Sequence, residues 1–463
     1  MAPRHQMVME MPEPTTPPEV TRWLAERAAA ISFDDLPDDA VTVARQCILD
    51  WFAVTISGAS EPAVSILREE VLDDGATPVA TLVGSGEKTS TVNAALINGT
   101  ASHALDFDDV NMAILGHPTV AILPGVLAMA EAQNASPRLL IEAFVAGYDV
   151  ACRTGALISP SHYGHGFHAT ATVGSVGSAA ACARLLGLAP DATATAYGIS
   201  TTLASGLKSM FGTMCKPLHA GRAAQNGLSA ARLARRGFTS RPDALECAQG
   251  LAATQSVDFH PDEAMRPEPL DFHIRRNLFK YHASCYLTHG AIEAGIHLRD
   301  RSRTSTNAIS GITIRVAPVT DRVCNLPRPA TGLEAKFSLR LTVAMALAGR
   351  NTSAIGSYTD VMTQEPELVR LRDMATIIFD ESFPEAKAEV TVTTNDGSSH
   401  SASHDAGVAD TDLMRQQTKL ENKFIALVEP VLGAAETRRL MDILVLLDDG
   451  TSLEEILAMT RRS

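Results

Sequence analysis

The chain has 463 residues, of which 45% are hydrophobic and only 5% aromatic, so it can bury a large core over two or more domains. Its formal net charge of −14 argues against nucleic acid or an anionic membrane as the main partner, and any anionic substrate must be drawn in by a local positive pocket. Seven cysteines, at 47, 152, 182, 215, 247, 285 and 324, show no CxxC and no zinc-like spacing, and no run of about eighteen apolar residues occurs, which together point to a reduced, cytoplasmic protein.

Residues 1–18 are polar, contain five prolines and lack the apolar core of a signal peptide, so they read as a mobile tail. Helical periodicity then dominates to about residue 250. Pro37-Asp38-Asp39 caps an apolar segment over 40–57 in which Val43, Cys47, Trp51 and Val54 share a core-facing stripe. Helices are also predicted at 19–31, 61–73, 90–104, 120–133, 137–158, 169–187, 191–206, 219–236 and 243–252. Gly174, Gly177 and a run of alanines make the 169–187 helix narrow, so its neighbours can approach closely.

From about residue 275 the pattern changes. Alternating β-branched residues at 309–316 and 388–394, with Asn395-Asp396-Gly397 leading into 399–403, read as strands and a hairpin, and helices at 285–299 and 332–349 are expected to cover the sheet. After Ala409 the helical period returns, with Leu420, Phe424, Leu427 and Val431 on one stripe. The order predicts a mainly α protein: a large all-helical domain formed by 19–272 and 410–463, and a smaller α+β domain at 273–409.

Four places concentrate acid/base and anion-binding groups. His103-Ala104-Leu105-Asp106-Phe107-Asp108-Asp109 is followed by Gly116-His117-Pro118-Thr119, and a helix continued through this segment would put His103 and Asp106 on one face, where the carboxylate can orient the ring. The plainer reading is a solvated helix terminus beside a packed histidine. Gly164-His165-Gly166-Phe167-His168-Ala169-Thr170 and Gly212-Thr213-Met214-Cys215-Lys216-Pro217-Leu218-His219 repeat the pattern of a glycine-containing loop delivering His or Lys to a helix start, where free amides favour anions. At the domain junction, Lys280 precedes the helix expected from Ser284, with His289 one turn inside it.

Other chemistries are less well supplied. Cys285 and His289 could imitate a Cys-His pair but lack an orienting carboxylate nearby in sequence, and a buried free cysteine is commonly inert. Asp106, Asp108, Asp109 and His117 could ligate a divalent ion, although a helical path would point Asp108 away from Asp106. Glycines 164, 166, 174 and 177 do not follow a strand, so no dinucleotide fingerprint is present.

Five segments in order, Ala101 to Asp109, His117-Pro118, Phe167-His168-Ala169-Thr170, Lys216-Pro217-Leu218-His219-Ala220-Gly221-Arg222-Ala223-Ala224 and Lys280 to His289, resemble the MmgE/PrpD family. That family contains 2-methylcitrate dehydratases, cis-aconitate decarboxylases and iminodisuccinate epimerases. The resemblance implies a helical domain, a smaller α+β domain, a cleft between them, a homodimer, and catalysis without metal or organic cofactor. It further implies a small di- or tricarboxylate substrate whose carbon next to a carboxylate loses or gains a proton.

On that footing His117 and His168 are the candidates for proton transfer, Asp106 for orienting or sharing the proton, and Lys216 for stabilising the developing charge. Lys280, Cys285, Thr170 and His219 are substrate-binding candidates, with Cys285 and His219 equally readable as packed helix residues. Asp106, His117, His168 and Lys216 should surround one cleft, with Lys280 on its far side.

The default reaction is a 2-methylcitrate-like dehydration, with epimerisation or decarboxylation as alternatives and a non-catalytic helical binding protein as a remote one. Val110, Cys285 and Val323 stand where decarboxylases of the animal type carry polar groups, which counts against that specificity. The loop from Val110 to Gly116 and the Phe211-Gly212-Thr213-Met214 lead resemble the epimerase branch, whereas the flanks at 283–290 resemble the fungal decarboxylases.

Overall fold

The computed structural model describes residues 19–267, 271–302 and 304–461; the expected tail at 1–18 lies outside the described residues. Ten helices fill the first half: α1 (Val20–Ala30), α2 (Asp38–Gly58), α3 (Pro62–Asp73), α4 (Thr91–His103), α5 (Pro118–Ala132), α6 (Pro137–Ile158), the single turn α7 (Ser161–Gly164), α8 (Ala169–Leu185), α9 (Pro190–Leu203) and α10 (Cys215–Arg235). Between α3 and α4 lies a small antiparallel pair that the sequence did not predict, β1 (Ala80–Thr81) and β2 (Lys88–Thr89). Short helices α11 (Leu251–Gln255) and α12 (Pro261–Ala264) follow.

The narrow helix α8 is the axis of this half, packed by α5, α6, α9 and α10. A Cβ on Gly174 would meet Ala121 Cβ at 2.5 Å, and one on Gly177 would meet Ala151 Cβ at 2.7 Å, so glycine is what lets these helices touch backbone to backbone. The apolar stripe of α2 is buried as its period requires, with Val43, Cys47, Trp51 and Val54 all in the core.

The second half carries α13 (His289–Ser302), β3 (Ile309–Val316), α14 (Val319–Cys324), α15 (Gly332–Ala335), α16 (Leu339–Leu347), α17 (Pro366–Asp373), β4 (Ala375–Phe379), β5 (Lys387–Thr394) and β6 (Ser399–Asp405). The sheet order is β4-β3-β5-β6, with β3 parallel to β4 and antiparallel to β5. The hairpin turns at Asn395-Asp396-Gly397, and Gly397 takes the positive φ of 84° that such a turn needs. Helix α13 lies across β5 and β6. The chain closes with α18 (Leu413–Leu432), α19 (Ala434–Leu446) and α20 (Leu453–Ala458), and α18 packs on α2 of the first half.

Three helix expectations need correction. Residues 243–252 are mostly turns, because Gly250 is extended and α11 starts only after it. The span 332–349 is split into α15 and α16 by Ser338, whose hydroxyl accepts from Leu341 N and starts a new helix. The helix expected from 285 begins at His289, preceded by a 3-10 turn at Tyr286–Thr288, since the Cys285 N–H is drawn to the Lys336 carbonyl at 2.9 Å.

Gly174→Leu should lower the urea midpoint, by about 1–3 kcal/mol or more of stability, because the added side chain has nowhere to go between α8 and α5. An unchanged midpoint would show that these helices separate easily.

Candidate active site

Helix α4 stops at His103, and the chain turns sharply there, with the Asp106 N–H bonded to the His103 carbonyl at 3.1 Å. Asp106 has a φ of 50°, in the left-handed region that asparagine and aspartate tolerate better than most residues. Two buried ammoniums hold successive carbonyls of the turn: Lys280 Nζ donates to Asp106 O and Lys423 Nζ to Phe107 O, each at 2.6 Å. Val110 and Leu278 then exchange two backbone hydrogen bonds of 2.8 Å, fastening the loop's far end.

This path overturns the expected pairing. The carboxylate beside the imidazoles is Asp108, whose Oδ1 lies 2.9 Å from His103 Nδ1 and whose Oδ2 lies 2.9 Å from His117 Nδ1, the latter off the line of a straight hydrogen bond. Burial alone would raise the Asp108 carboxyl, but the His103 and His117 rings hold it well below the usual range. Burial depresses His103 to about 4 even against Asp108, so its ring is neutral near pH 7. Neither His103 nor Asp108 was singled out from sequence as catalytic, since a helix running on past His103 would have separated them.

Asp106 instead faces cations. Its Oδ1 lies 2.7 Å from Lys216 Nζ, 3.1 Å from Lys280 Nζ and 3.8 Å from His117 Nε2. Desolvation works against its ionisation, yet Lys280, Lys216 and His117 together hold the carboxyl far below its ordinary value. Its side chain is 52% exposed, so solvent tempers these attractions. Lys280 is buried; that disfavours its charge, but Asp106 and Asp108 more than compensate and raise its pKa. Lys280 therefore sits beside Lys216 rather than across the cleft, and it belongs to an irregular segment well ahead of α13 rather than to that helix's end.

The glycine-containing loops deliver their residues as expected. His117 and His168 are the N-cap residues of α5 and α8, and Lys216 lies in the first turn of α10, a helix that starts four residues earlier than predicted. Gly116 is needed for close approach, because a Cβ there would stand 2.9 Å from Thr170 Oγ1. That hydroxyl accepts the His117 N–H at 3.0 Å, so the fully buried Thr170 supports the His117 backbone.

His168 Nδ1 meets His219 Nδ1 at 3.1 Å, its ring stacks on His103 at 5.9 Å, and Phe211 lies edge-on at 4.9 Å. Burial, with the neighbouring His103, His117 and Lys216, drives the His168 pKa far down, so this ring is neutral at any physiological pH. His219 thus reaches the cluster as the partner of His168. Cys285 is half-buried, and a hydrogen bond involving Cys324 lowers its thiol pKa while burial opposes the change. None of the described contacts joins Cys285 to His289, which leaves no Cys-His couple.

His103, Asp106, Asp108 and His117 each bring one ligand atom within 4.8 Å of the others, so as donors they could hold a divalent cation. Asp108 does not point away from the group, because α4 ends at His103 and no helix runs through 104–109. Two ammoniums already occupy Asp106 Oδ1, however, and both imidazole Nδ1 atoms are turned to Asp108, an arrangement suited to anions and protons more than to a metal. Among the described residues no helix is long and apolar enough to cross a membrane.

A helical half and an α+β half are joined around a cluster of histidines, lysines and the carboxylates of Asp106 and Asp108, the layout of a two-domain enzyme. Residues 22–264 match the MmgE/PrpD N-terminal domain and 282–449 the MmgE/PrpD C-terminal domain, and the chain belongs to the MmgE/PrpD family. It is 25% identical to a cis-aconitate decarboxylase of Aspergillus terreus over 469 residues, covering 95% of each chain. It is likewise 27% identical to the human cis-aconitate decarboxylase over 450 residues, covering 93% of this chain and 92% of that one. The mouse cis-aconitate decarboxylase is 25% identical over 466 residues.

Behind the loop, Asp109 is buried against Thr119 Oγ1 at 2.5 Å, and burial with the nearby Asp50 and Asp108 pushes its carboxyl up to about 7. A folded-state pKa above the unfolded 3.8 contributes stability below 3.8 that is lost as pH rises through 7. Urea midpoints of the parent should therefore fall relative to those of Asp109→Asn across that interval. A difference that does not change with pH would contradict the assignment.

Proposed function

We propose that this chain is a carboxy-lyase that acts on an unsaturated tricarboxylate of the cis-aconitate kind. The observation that carries the reading is the convergence of Lys216 and Lys280 on one carboxylate position, with the His117 Nε2 only 3.8 Å from the same oxygen. The decarboxylase relatives, matched over nearly their whole length, favour this reading over the dehydratase default. We also take 19–272 with 410–463 as the helical domain and 273–409 as the α+β domain, because α18 packs on α2.

In this reading substrate carboxylates are held by the two ammoniums that Asp106 otherwise engages. The bond from carbon to the departing carboxylate breaks, carbon dioxide leaves, and the electron pair spreads into the neighbouring unsaturated carboxylate as an enolate-like charge. Lys216 stabilises that charge. His117, backed by Asp108, gives a proton to carbon and completes a product with one carboxylate fewer. His103 and His168, both neutral, form the polar wall without adding competing charge.

The test is carbon dioxide release from cis-aconitate, run beside dehydration of 2-methylcitrate. His117→Gln should lower kcat by about 10² or more with a modest change in KM, the usual scale for a proton-transfer group. Lys216→Met should reduce kcat/KM through both binding and charge stabilisation. Dehydration of 2-methylcitrate with no release of carbon dioxide from cis-aconitate would overturn the reading.

A further inference from the structure

Lys423 occupies the apolar stripe of α18, flanked by Leu420, Phe424 and Leu427, and it is 0% exposed. A lysine placed there for packing alone is costly, since its charge must be taken out of water. Its ammonium lies 2.5 Å from Asp50 Oδ1 on α2 and 4.0 Å from the Phe107 ring centroid, and it donates to the Phe107 carbonyl at 2.6 Å. That carbonyl is the neighbour of the one held by Lys280.

Two ammoniums from distant parts of the chain thus fix two consecutive carbonyls, on either side of Phe107 and just after Asp106 with its φ of 50°. Asp106 and Asp108 flank Phe107, and their carboxylates point to Lys216 and to the two imidazoles. With the Phe107 carbonyl released, the peptide between Phe107 and Asp108 could rotate and swing the Asp108 carboxylate off the two imidazoles, while Lys280 still holds the Asp106 carbonyl.

We propose that Lys423, anchored by Asp50, is a positioning residue for the reaction: it holds the Phe107 carbonyl so that Asp108 keeps its orientation toward His103 and His117. The inference rests on the role given to Asp108 above. It assigns a functional task to α18.

The test pairs activity with amide hydrogen exchange of the loop at 104–110. Lys423→Met alone leaves Asp50 unpaired and is expected to lose stability, so the informative protein is Lys423→Met with Asp50→Leu, in which both charges are gone. This double variant should melt near the parent temperature, yet lose about 10-fold or more in kcat with KM little changed. Loop amides at 104–110 should exchange about 10-fold faster, with α5 unchanged. Parent-like kcat and parent-like exchange in the double variant would reduce Lys423 to a packing residue. Asp50→Asn removes the anchor while keeping the Lys423 donor and decides the matter if the double variant does not fold: faster exchange at 104–110 with lower kcat supports the proposal, and parent-like exchange and kcat contradict it. Because exchange needs no substrate, a parent protein that turns over no polycarboxylate would sink the proposed reaction while leaving this measurement decisive.

Discussion

The arrangement of the site depends on one constraint, the left-handed turn at Asp106 held by hydrogen bonds from Lys280 and Lys423 to successive carbonyls. The turn ends α4 and sends Asp106 and Asp108 in different directions. One carboxylate meets the ammoniums of Lys216 and Lys280, and the other meets the imidazoles of His103 and His117. The turn therefore keeps a carboxylate among ammoniums apart from a carboxylate among imidazoles.

The same lysine-bearing helix ties the two halves of the protein together. Four residues before Lys423, Lys419 pairs with Glu293 of α13 at 2.7 Å, and Glu293 also lies 3.3 Å from His282 Nε2. Buried ion pairs contribute little net stability compared with apolar contacts, but they fix geometry because a misplaced partner leaves a charge stranded. Helix α18 thus links the α+β half to the loop through groups that tolerate little displacement. Lys280 arrives from the segment between the two matched family domains, so the cluster around Asp106 draws together residues distant in sequence.

Much of this was legible in the sequence because helix period and capping are local. The stripe of α2, the narrow α8 and the β5–β6 hairpin follow from residue spacing, and the histidines of α5 and α8 sit at helix starts where glycine loops and Pro118 put them. The turn was not legible: Asp106 carries no glycine to advertise a positive φ, and the lysines that stabilise it are 174 and 316 residues away from the carbonyls they hold. Lys423 was equally hidden, since a lysine between Leu420 and Phe424 breaks the apolar pattern without saying why. Strand β4 was missed because it is short, half-exposed and paired in parallel with a strand distant in sequence. Val110, Cys285 and Val323, read as arguing against the animal type of decarboxylase, have physical surroundings here: Val110 bridges to Leu278, the free Cys285 thiol hydrogen-bonds with that of Cys324, and Val323 is exposed on α14.

The central claim is that two ammoniums hold carboxylates while an imidazole supplies a proton to carbon. Its most direct measurement is mass spectrometry of the product formed from cis-aconitate in deuterated water. The account predicts one carbon-bound deuterium for each carbon dioxide released, with its delivery slowed in parallel with turnover in His117→Gln. Product formed without a solvent-derived deuterium on carbon, or labelled at an undiminished rate in the folded variant, would contradict it.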